Sequence, residues 1–254
     1  MANWSDPRTS AAPYATAGTQ ASYDAGLRSY MLSVYNYMLS GVLLTGVVAL
    51  LFGKVDALQQ LLFVVQQTAR GPQPGLSMLG WIVMLSPLAI IFAMSFGQSR
   101  MSESTLKTLF FAYAGLLGAS LSTIFIAYTD TSIAQVFFGT AAGFGALSLW
   151  GYTTKKDLSG FGTFLIIGLV GLIVASIVNF FLQSSMMSLV ISVVGVLIFA
   201  GLTAYDTQKI KSIYAYVAGT PEQGKVAIMG ALNLYLDFIN MFLFLLRLFG
   251  SQRN

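Results

Sequence analysis

The chain has 254 residues, of which 56% are hydrophobic and only 9% are charged. A soluble globular domain carries about 25% charged residues, so this composition excludes a soluble protein and indicates an integral membrane protein. The absence of cysteine excludes disulfides and thiol ligands, and the small net charge of +4 gives no case for binding nucleic acid. The absence of histidine means that a response to pH near neutrality would have to come from carboxyl groups.

The first part of the chain differs in composition from the rest. Residues 1–29 are polar and rich in Ala, Ser and Thr, and they lack the charged start and apolar core of a cleaved signal peptide. We therefore expect a flexible polar N-terminal tail at residues 1–29, followed by a transmembrane domain at residues 30–254.

Continuous apolar runs of 18 to 24 residues fill the transmembrane domain. Their length and the lack of alternating polarity favour membrane-spanning helices over the strands of a β-barrel. The sequence thus predicts an all-α integral membrane protein with seven transmembrane helices. The predicted spans are residues 30–52, 79–96, 106–128, 133–150, 161–182, 186–205 and 226–249.

The distribution of lysine and arginine predicts the orientation in the membrane. Nine of these residues fall in the tail and in the second, fourth and sixth connectors, against four in the other connectors and the C-terminal end. This excess places the N-terminus in the cytoplasm.

Two further patterns predict local structure. The long connector after the first span has leucines at helical spacing with glutamines between them, which predicts an amphipathic helix on the membrane surface that ends in a turn at residues 71–75. An ordinary packed loop is the alternative. Gly139 and Gly143 form a GxxxG in the fourth span, and Ser192 and Gly195 lie in the sixth. Small residues like these predict close helix packing.

Two carboxylates interrupt the last two spans. Asp206 lies at the end of the sixth span and Asp237 lies within the seventh. A charged side chain at the centre of a membrane helix costs roughly 2.5–3.5 kcal/mol on insertion scales, so such residues usually face a bundle interior, a partner or water. One stripe of the seventh helix, interrupted by Phe244, holds Asn233, Asp237, Asn240 and Arg247 and should face protein or water. The alternative is that these side chains only join helices by hydrogen bonds.

Three runs carry a resemblance to a known family. They are GYTTKKDLSGFG at residues 151–162, AYDTQKIK at the end of the sixth span and LNLYLDFINMFLFLLRLFG in the seventh. Together, and in this order, they resemble the Bax inhibitor-1 family, also called the transmembrane Bax-inhibitor-motif family, over about residues 30–250. The polar start and the lack of organelle signals indicate a bacterial member in the inner membrane.

The resemblance implies a seven-helix fold with the last helix in the centre and a calcium leak regulated by pH. In that family a pair of aspartates on the last two helices acts as proton sensor and ion site, and these correspond to Asp206 and Asp237. An arginine at the cytoplasmic end of the second helix latches onto the sixth-helix aspartate in the closed form, and Arg100 is the nearest match. Some members carry an acid within the second span, where this chain has LSPLAIIF.

The residues themselves support an ion site. Two neighbouring carboxyl groups share a proton more readily than they both ionise, which supplies pH sensing without histidine. Calcium prefers six to eight oxygen ligands, and Asp206, Asp237 and the amides of Asn233 or Asn240 would form a loose set suited to passage. Asp237 is predicted to lie deeper than Asp206, so the two meet only if residues 226–231 lie largely outside the hydrocarbon, or if the sixth helix tilts or continues past Asp206. Continuation of the helix is favoured by the helical spacing of Ile210, Ile213, Tyr214 and Val217.

Two other functions compete with transport. The first is a non-transporting regulator that binds a membrane protease or another membrane protein, with residues 1–29 as a recognition segment. The second is an intramembrane aspartyl protease, but its GxGD motif is absent, since the first aspartate lies in AYDTQ. With no His or Cys as nucleophile or base, we expect no enzyme activity and no cofactor. The expected partners are the lipid bilayer, calcium and protons.

Overall fold

Long helices make up almost all of the chain. The computed structural model describes residues 13–68 and 71–253. The elements are α1 (Pro13–Lys54), α2 (Asp56–Leu62), β1 (Phe63–Thr68), β2 (Gly71–Leu76), α3 (Met78–Gly97), α4 (Glu103–Ser120), α5 (Thr123–Ala127), α6 (Asp130–Thr153), α7 (Ser159–Leu182), α8 (Ser185–Val217) and α9 (Gln223–Phe249).

Seven helical segments in the described part of the chain are long and apolar enough to cross a membrane. They correspond one to one to the seven predicted spans, with α4 and α5 together forming the third. The predicted all-α, seven-span membrane protein is therefore confirmed. The orientation of the termini stays a prediction.

The first helix begins earlier than the sequence indicated. Helix α1 starts at Pro13, so residues 13–29 of the polar stretch are helical, and the division into a tail at residues 1–29 and a transmembrane domain at residues 30–254 stays a prediction. Leu27 and Tyr30 are buried in the main core, and this packing extends the helix beyond its membrane-spanning part. Residues 1–12 of the predicted tail lie outside the described residues.

The connector after α1 contains both a helix and a hairpin. Helix α2 confirms helical structure in the first half of the predicted amphipathic helix, and its place on the membrane surface stays a prediction. The predicted turn at residues 71–75 is wrong, because these residues form β2, which pairs antiparallel with β1. Phe63, Val64 and Val65 favour extended structure, and a two-stranded sheet tolerates Pro72 and Pro74 because both of its strands are edges.

Helix α9 lies at the centre of the bundle. Of its most apolar window 61% is buried, the largest share among the seven spans, and it packs against α1, α4, α6 and α8. Leu234 and Tyr235 are completely buried. The central position that the family resemblance implies for the last helix is therefore confirmed.

Helices α8 and α9 form an antiparallel pair joined by residues 218–222. Ile210 lies against Gly230 near the connection, and Phe244 lies against Gly195 at the other end. Both glycines admit the facing side chain, since an added Cβ would meet it at 3.1 Å and 2.7 Å respectively. This register sets which residues of α8 and α9 face each other at the level of the carboxylates.

A buried hydroxyl pair ties α9 to α1 and α4. The Thr45 hydroxyl donates to the Ala114 carbonyl at 2.8 Å and lies 2.6 Å from the Tyr235 hydroxyl. Because the single hydroxyl hydrogen of Thr45 is used on Ala114, the Tyr235 hydroxyl donates to Thr45. Three helices are thus joined at one point in the apolar core.

A second polar connection satisfies a backbone carbonyl that a proline in α3 leaves without its usual donor. Pro87 has no N–H to donate to the carbonyl of Val83, four residues earlier. The Ser86 hydroxyl donates to that carbonyl at 3.0 Å, and the Ser120 hydroxyl on α4 lies 3.0 Å both from that carbonyl and from the Leu116 carbonyl of its own helix. Within the hydrocarbon a freed backbone carbonyl needs such a partner, so the proline also fastens α3 to α4.

The glycines that mediate helix contacts are not all those that the sequence indicated. An added Cβ at Gly139 or Gly143 would meet nothing within 4 Å, so the GxxxG of the fourth span makes no close helix contact here. Gly151, further along the same helix, packs directly on the backbone of Ala204 in α8. Gly195 confirms the contact predicted for the sixth span.

We expect Gly151→Ala to lower stability, because its Cβ would lie 2.3 Å from the Ala204 carbonyl oxygen and push α6 away from α8. Overpacking of this kind costs about 1–3 kcal/mol. Gly143→Ala is the matched control on the same helix, and its higher helix propensity should leave stability unchanged or raise it by about 1 kcal/mol. Thermal unfolding of both proteins in detergent provides the comparison, and equal destabilisation would contradict the assignment.

We also expect Thr45→Val to destabilise the bundle, because it leaves the buried Tyr235 hydroxyl without an acceptor. The expected loss is about 1–3 kcal/mol, seen as a lower midpoint of thermal unfolding. Thr203→Val serves as control, since the buried Thr203 hydroxyl bonds only to the Phe199 carbonyl of its own helix. A Thr45 variant that is no less stable than the control would show that the connection to α9 is unimportant.

Candidate functional site

The two acids of the last two helices face each other inside the bundle. The carboxyl groups of Asp206 on α8 and Asp237 on α9 lie within hydrogen-bonding reach of each other. Asp206 is half-buried, whereas Asp237 is 4% exposed.

The length of α8 explains how they meet. Helix α8 continues past Asp206 to Val217, as the spacing of Ile210, Tyr214 and Val217 predicted. Asp206 therefore lies eleven residues, about 17 Å, from the end of α8, and Asp237 lies fourteen residues, about 21 Å, from the start of α9. The difference is less than one helical turn, so a side chain spans it.

Asp237 has an unsatisfied oxygen. In the described part of the chain no N–H or O–H donor bonds to its buried Oδ2. Its neighbour Asp206 is also an acceptor when ionised. Two facing acceptors without a donor are stabilised by a shared proton or by a cation, and this arrangement is the main chemical feature of the site.

A cavity of about 1070 Å³ lies beside the acid pair. Both acids line it, together with Asn233, Asn240 and Lys209. The rest of its lining is almost entirely apolar and comes from α3, α4, α7, α8 and α9. The polar groups are therefore concentrated on the α8 and α9 side.

The two predicted amides lie at this site. Asn240 donates its Nδ2 to the Leu236 carbonyl at 2.8 Å, and its side-chain oxygen is not used in a described hydrogen bond. Asn233 is half-buried and lines the same cavity one turn before Asp237. The structure thus brings together four of the five residues that the sequence singled out.

Arg100 does not join them. It lies exposed in the turn between α3 and α4, and within the described residues it forms no ion pair with Asp206. The nearest basic influence on Asp206 is Lys209, one turn further along α8. A latch between Arg100 and Asp206 stays a prediction about another arrangement of the helices.

The oxygen groups fit a weak cation site. Among the described residues no three His, Cys, Asp or Glu side chains come together as a metal-binding group. The candidate site offers two carboxylates, and the amide oxygens of Asn233 and Asn240 line the same cavity. This is an all-oxygen set suited to calcium, but it is smaller than the six to eight ligands of a tight site.

A chain of hydroxyls that the sequence patterns did not predict connects α8 to α6 and α1. The Tyr35 hydroxyl on α1 lies 2.5 Å from Ser148 Oγ on α6, which lies 2.9 Å from Thr207 Oγ1 on α8. Thr207 in turn donates to the Thr203 carbonyl at 2.7 Å. The i, i+4 pair Thr203 and Thr207, next to Asp206 in the sequence, was the available signal of a polar inner face.

Comparisons with known proteins agree with this architecture. Residues 27–254 match the family model described as "Inhibitor of apoptosis-promoting Bax1". The chain is 48% identical to an uncharacterized protein of Rickettsia prowazekii, with 94% of this chain and 96% of that protein covered. It is 44% identical to the inner membrane protein YbhL of Escherichia coli K12, with 90% of this chain and 94% of YbhL covered.

These matches extend across all seven spans, and the seven apolar helices fit a multi-pass inner-membrane protein. The three sequence runs, the central last helix and the family match agree with one another. The chain belongs to the Bax inhibitor-1 family.

Proposed function

We propose that this protein is a pH-sensitive calcium leak in the bacterial inner membrane, in which the Asp206 and Asp237 pair is both the ion site and the proton sensor. The observation that carries the proposal is the acceptor pair itself. Two carboxyl groups meet inside an apolar bundle, and Oδ2 of Asp237 is buried without a donor.

Calcium suits the chemistry of this pair. It is a hard cation that prefers carboxylate and amide oxygens, which Asp206, Asp237, Asn233 and Asn240 supply. A site with few protein ligands binds weakly, and weak binding lets an ion leave as well as enter. The same features serve a channel or an exchanger that couples calcium to protons.

Protons compete with calcium for the same oxygens. A proton shared by Asp206 and Asp237 removes negative charge from the pair, so calcium binding weakens as the pH falls. Calcium binding in turn displaces the proton. The pair therefore links ion occupancy to pH without a histidine.

Arg100 supplies the second state of the proposed switch. A guanidinium that reaches Asp206 would occupy the place of the cation and block the path. Movement of α3, which carries Arg100 just beyond its end, would exchange the arginine for a proton or calcium. The described arrangement, with Arg100 exposed and the acids together, is the unlatched member of this pair of states.

We further propose that the protein is not an enzyme. The candidate site holds two acids and two amides but no nucleophile paired with a base. An aspartyl protease would also use two acids, but the sequence around Asp206 is AYDTQ and lacks its GxGD motif.

We expect Asp237→Asn to abolish the pH dependence of calcium flux into proteoliposomes, because an amide cannot share a titratable proton with Asp206. The wild type should show flux that changes with pH. Asp56→Asn is the matched control, since Asp56 is an exposed acid in the first turn of α2, far from the cavity. A pH profile that survives Asp237→Asn would rule out the shared proton, and a wild type that passes no calcium would favour the non-transporting regulator.

We expect Arg100→Gln to raise calcium flux at neutral pH, because it removes the cation that competes for Asp206. The pH dependence should weaken but persist, since the acid pair is intact. Lys107→Gln is the control, because Lys107 lies exposed on nearby α4 with its ammonium over the Tyr37 ring. Identical flux in both variants would exclude Arg100 as the latch.

A further inference from the structure

A small basic pocket lies where the loop between α6 and α7 meets α8. Its volume is about 300 Å³, and it is lined by Lys155, Lys156 and Lys209 together with Asp157. The remaining lining residues are Ser159, Tyr205, Gln208 and Ser212. None of the three lysines forms an ion pair in the described part of the chain, so the pocket carries two net positive charges.

The loop that carries two of these lysines is fixed in place. Gln208 on α8 accepts a hydrogen bond from the Leu158 N–H at 2.9 Å and donates one to the Lys156 carbonyl at 2.8 Å. The pocket is therefore preorganised by the bundle and does not depend on a mobile loop to form.

The basic pocket adjoins the large cavity beside the acid pair. Tyr205 and Lys209 line both. The Tyr205 ring lies against α7 because Gly162 has no side chain; a Cβ there would be 2.2 Å from the ring. A positively charged pocket therefore lies directly next to an apolar groove.

That groove faces the hydrocarbon of the membrane. It lies between α3, which packs on α4, and α7, which packs on α8. Each helix contributes lining residues that are exposed at the protein surface, with Leu88 on α3 at 56% and Ile177 on α7 at 57%, whereas Pro87 and Leu172 lie buried behind them. Along α7 the groove extends from Ile166 to Phe181, about 22 Å, which is more than half of a hydrocarbon core about 30 Å thick.

We propose that this composite site binds an anionic phospholipid of the leaflet in which the loop between α6 and α7 lies. The phosphate group contacts Lys155, Lys156 and Lys209, and one acyl chain lies in the groove between α3 and α7. Basic pockets at the ends of membrane helices recognise anionic head groups, and the adjoining apolar groove favours a lipid over a free anion. The bound chain covers the cavity on the side opposite the acid pair.

The test uses the full-length protein purified in detergent, with native mass spectrometry to count bound lipids and thermal unfolding to measure protection. We expect phosphatidylglycerol to bind and raise the unfolding temperature, and phosphatidylcholine and inorganic phosphate to have little effect. Equal protection by phosphatidylcholine would overturn the role of the lysines. Equal protection by inorganic phosphate would overturn the role of the acyl chain.

Two pairs of variants separate the halves of the site. Lys155→Gln with Lys156→Gln should weaken phosphatidylglycerol binding roughly 25-fold, at about fivefold for each lysine. Lys107→Gln with Lys225→Gln removes the same charge elsewhere and should not weaken it. An equal loss in both double variants would show nonspecific charge attraction and contradict the site.

The groove is tested by filling it. Ile173→Trp places an indole among the lining residues and should reduce lipid binding while all three lysines remain. Ile167→Trp is the control, since Ile167 is 68% exposed on the same helix and does not line the cavity. Unchanged binding in Ile173→Trp would overturn the placement of the chain.

Discussion

Hydrocarbon offers no partner to a polar group, so each polar side chain inside this bundle must find one within the protein. The described part of the chain meets this requirement almost completely. Thr203 and Thr207 donate back to their own helix, and Tyr235 bonds to Thr45. Only two buried side-chain atoms there have no hydrogen-bond partner, the Tyr30 hydroxyl and Oδ2 of Asp237. The buried, unpaired oxygen of Asp237 is therefore more readily explained by a functional role than by a contribution to stability.

The polar connections also explain why the acids are held in position. Tyr35, Ser148 and Thr207 form a chain across α1, α6 and α8, which fixes the face of α8 that carries Asp206. Thr45 and Tyr235 fix α9 from its opposite side. By contrast, α3 is joined to the bundle mainly through α4, and the hydroxyl of Ser120 at the Pro87 site is one of their connections. The helices that carry the acids are therefore joined to several neighbours, and a less enclosed helix borders their cavity.

Much of this could be predicted from sequence, because burial in a membrane leaves a strong pattern. Apolar runs located the seven spans, and acids that interrupt such runs located Asp206 and Asp237. Contacts that depend on which residues of neighbouring helices face each other could not be predicted from the sequence. Gly139 and Gly143 match a contact motif yet face nothing, whereas Gly151 packs on Ala204, a difference set by the rotation of α6 about its axis. The proximity of Lys209 to Asp206 likewise follows only from the continuation of α8 as a helix past Asp206.

The 33 residues of α8 make it about 50 Å long, well beyond a hydrocarbon core of about 30 Å. Asp206 is twenty-one residues from its start, about 32 Å, and so lies near the boundary of the membrane on the side where α8 projects. Beyond Asp237, α9 continues for twelve residues with Phe242 and Leu246 packed on Ile133. The acids thus lie close to one side of the membrane, and most of the apolar length of the bundle lies between them and the other side.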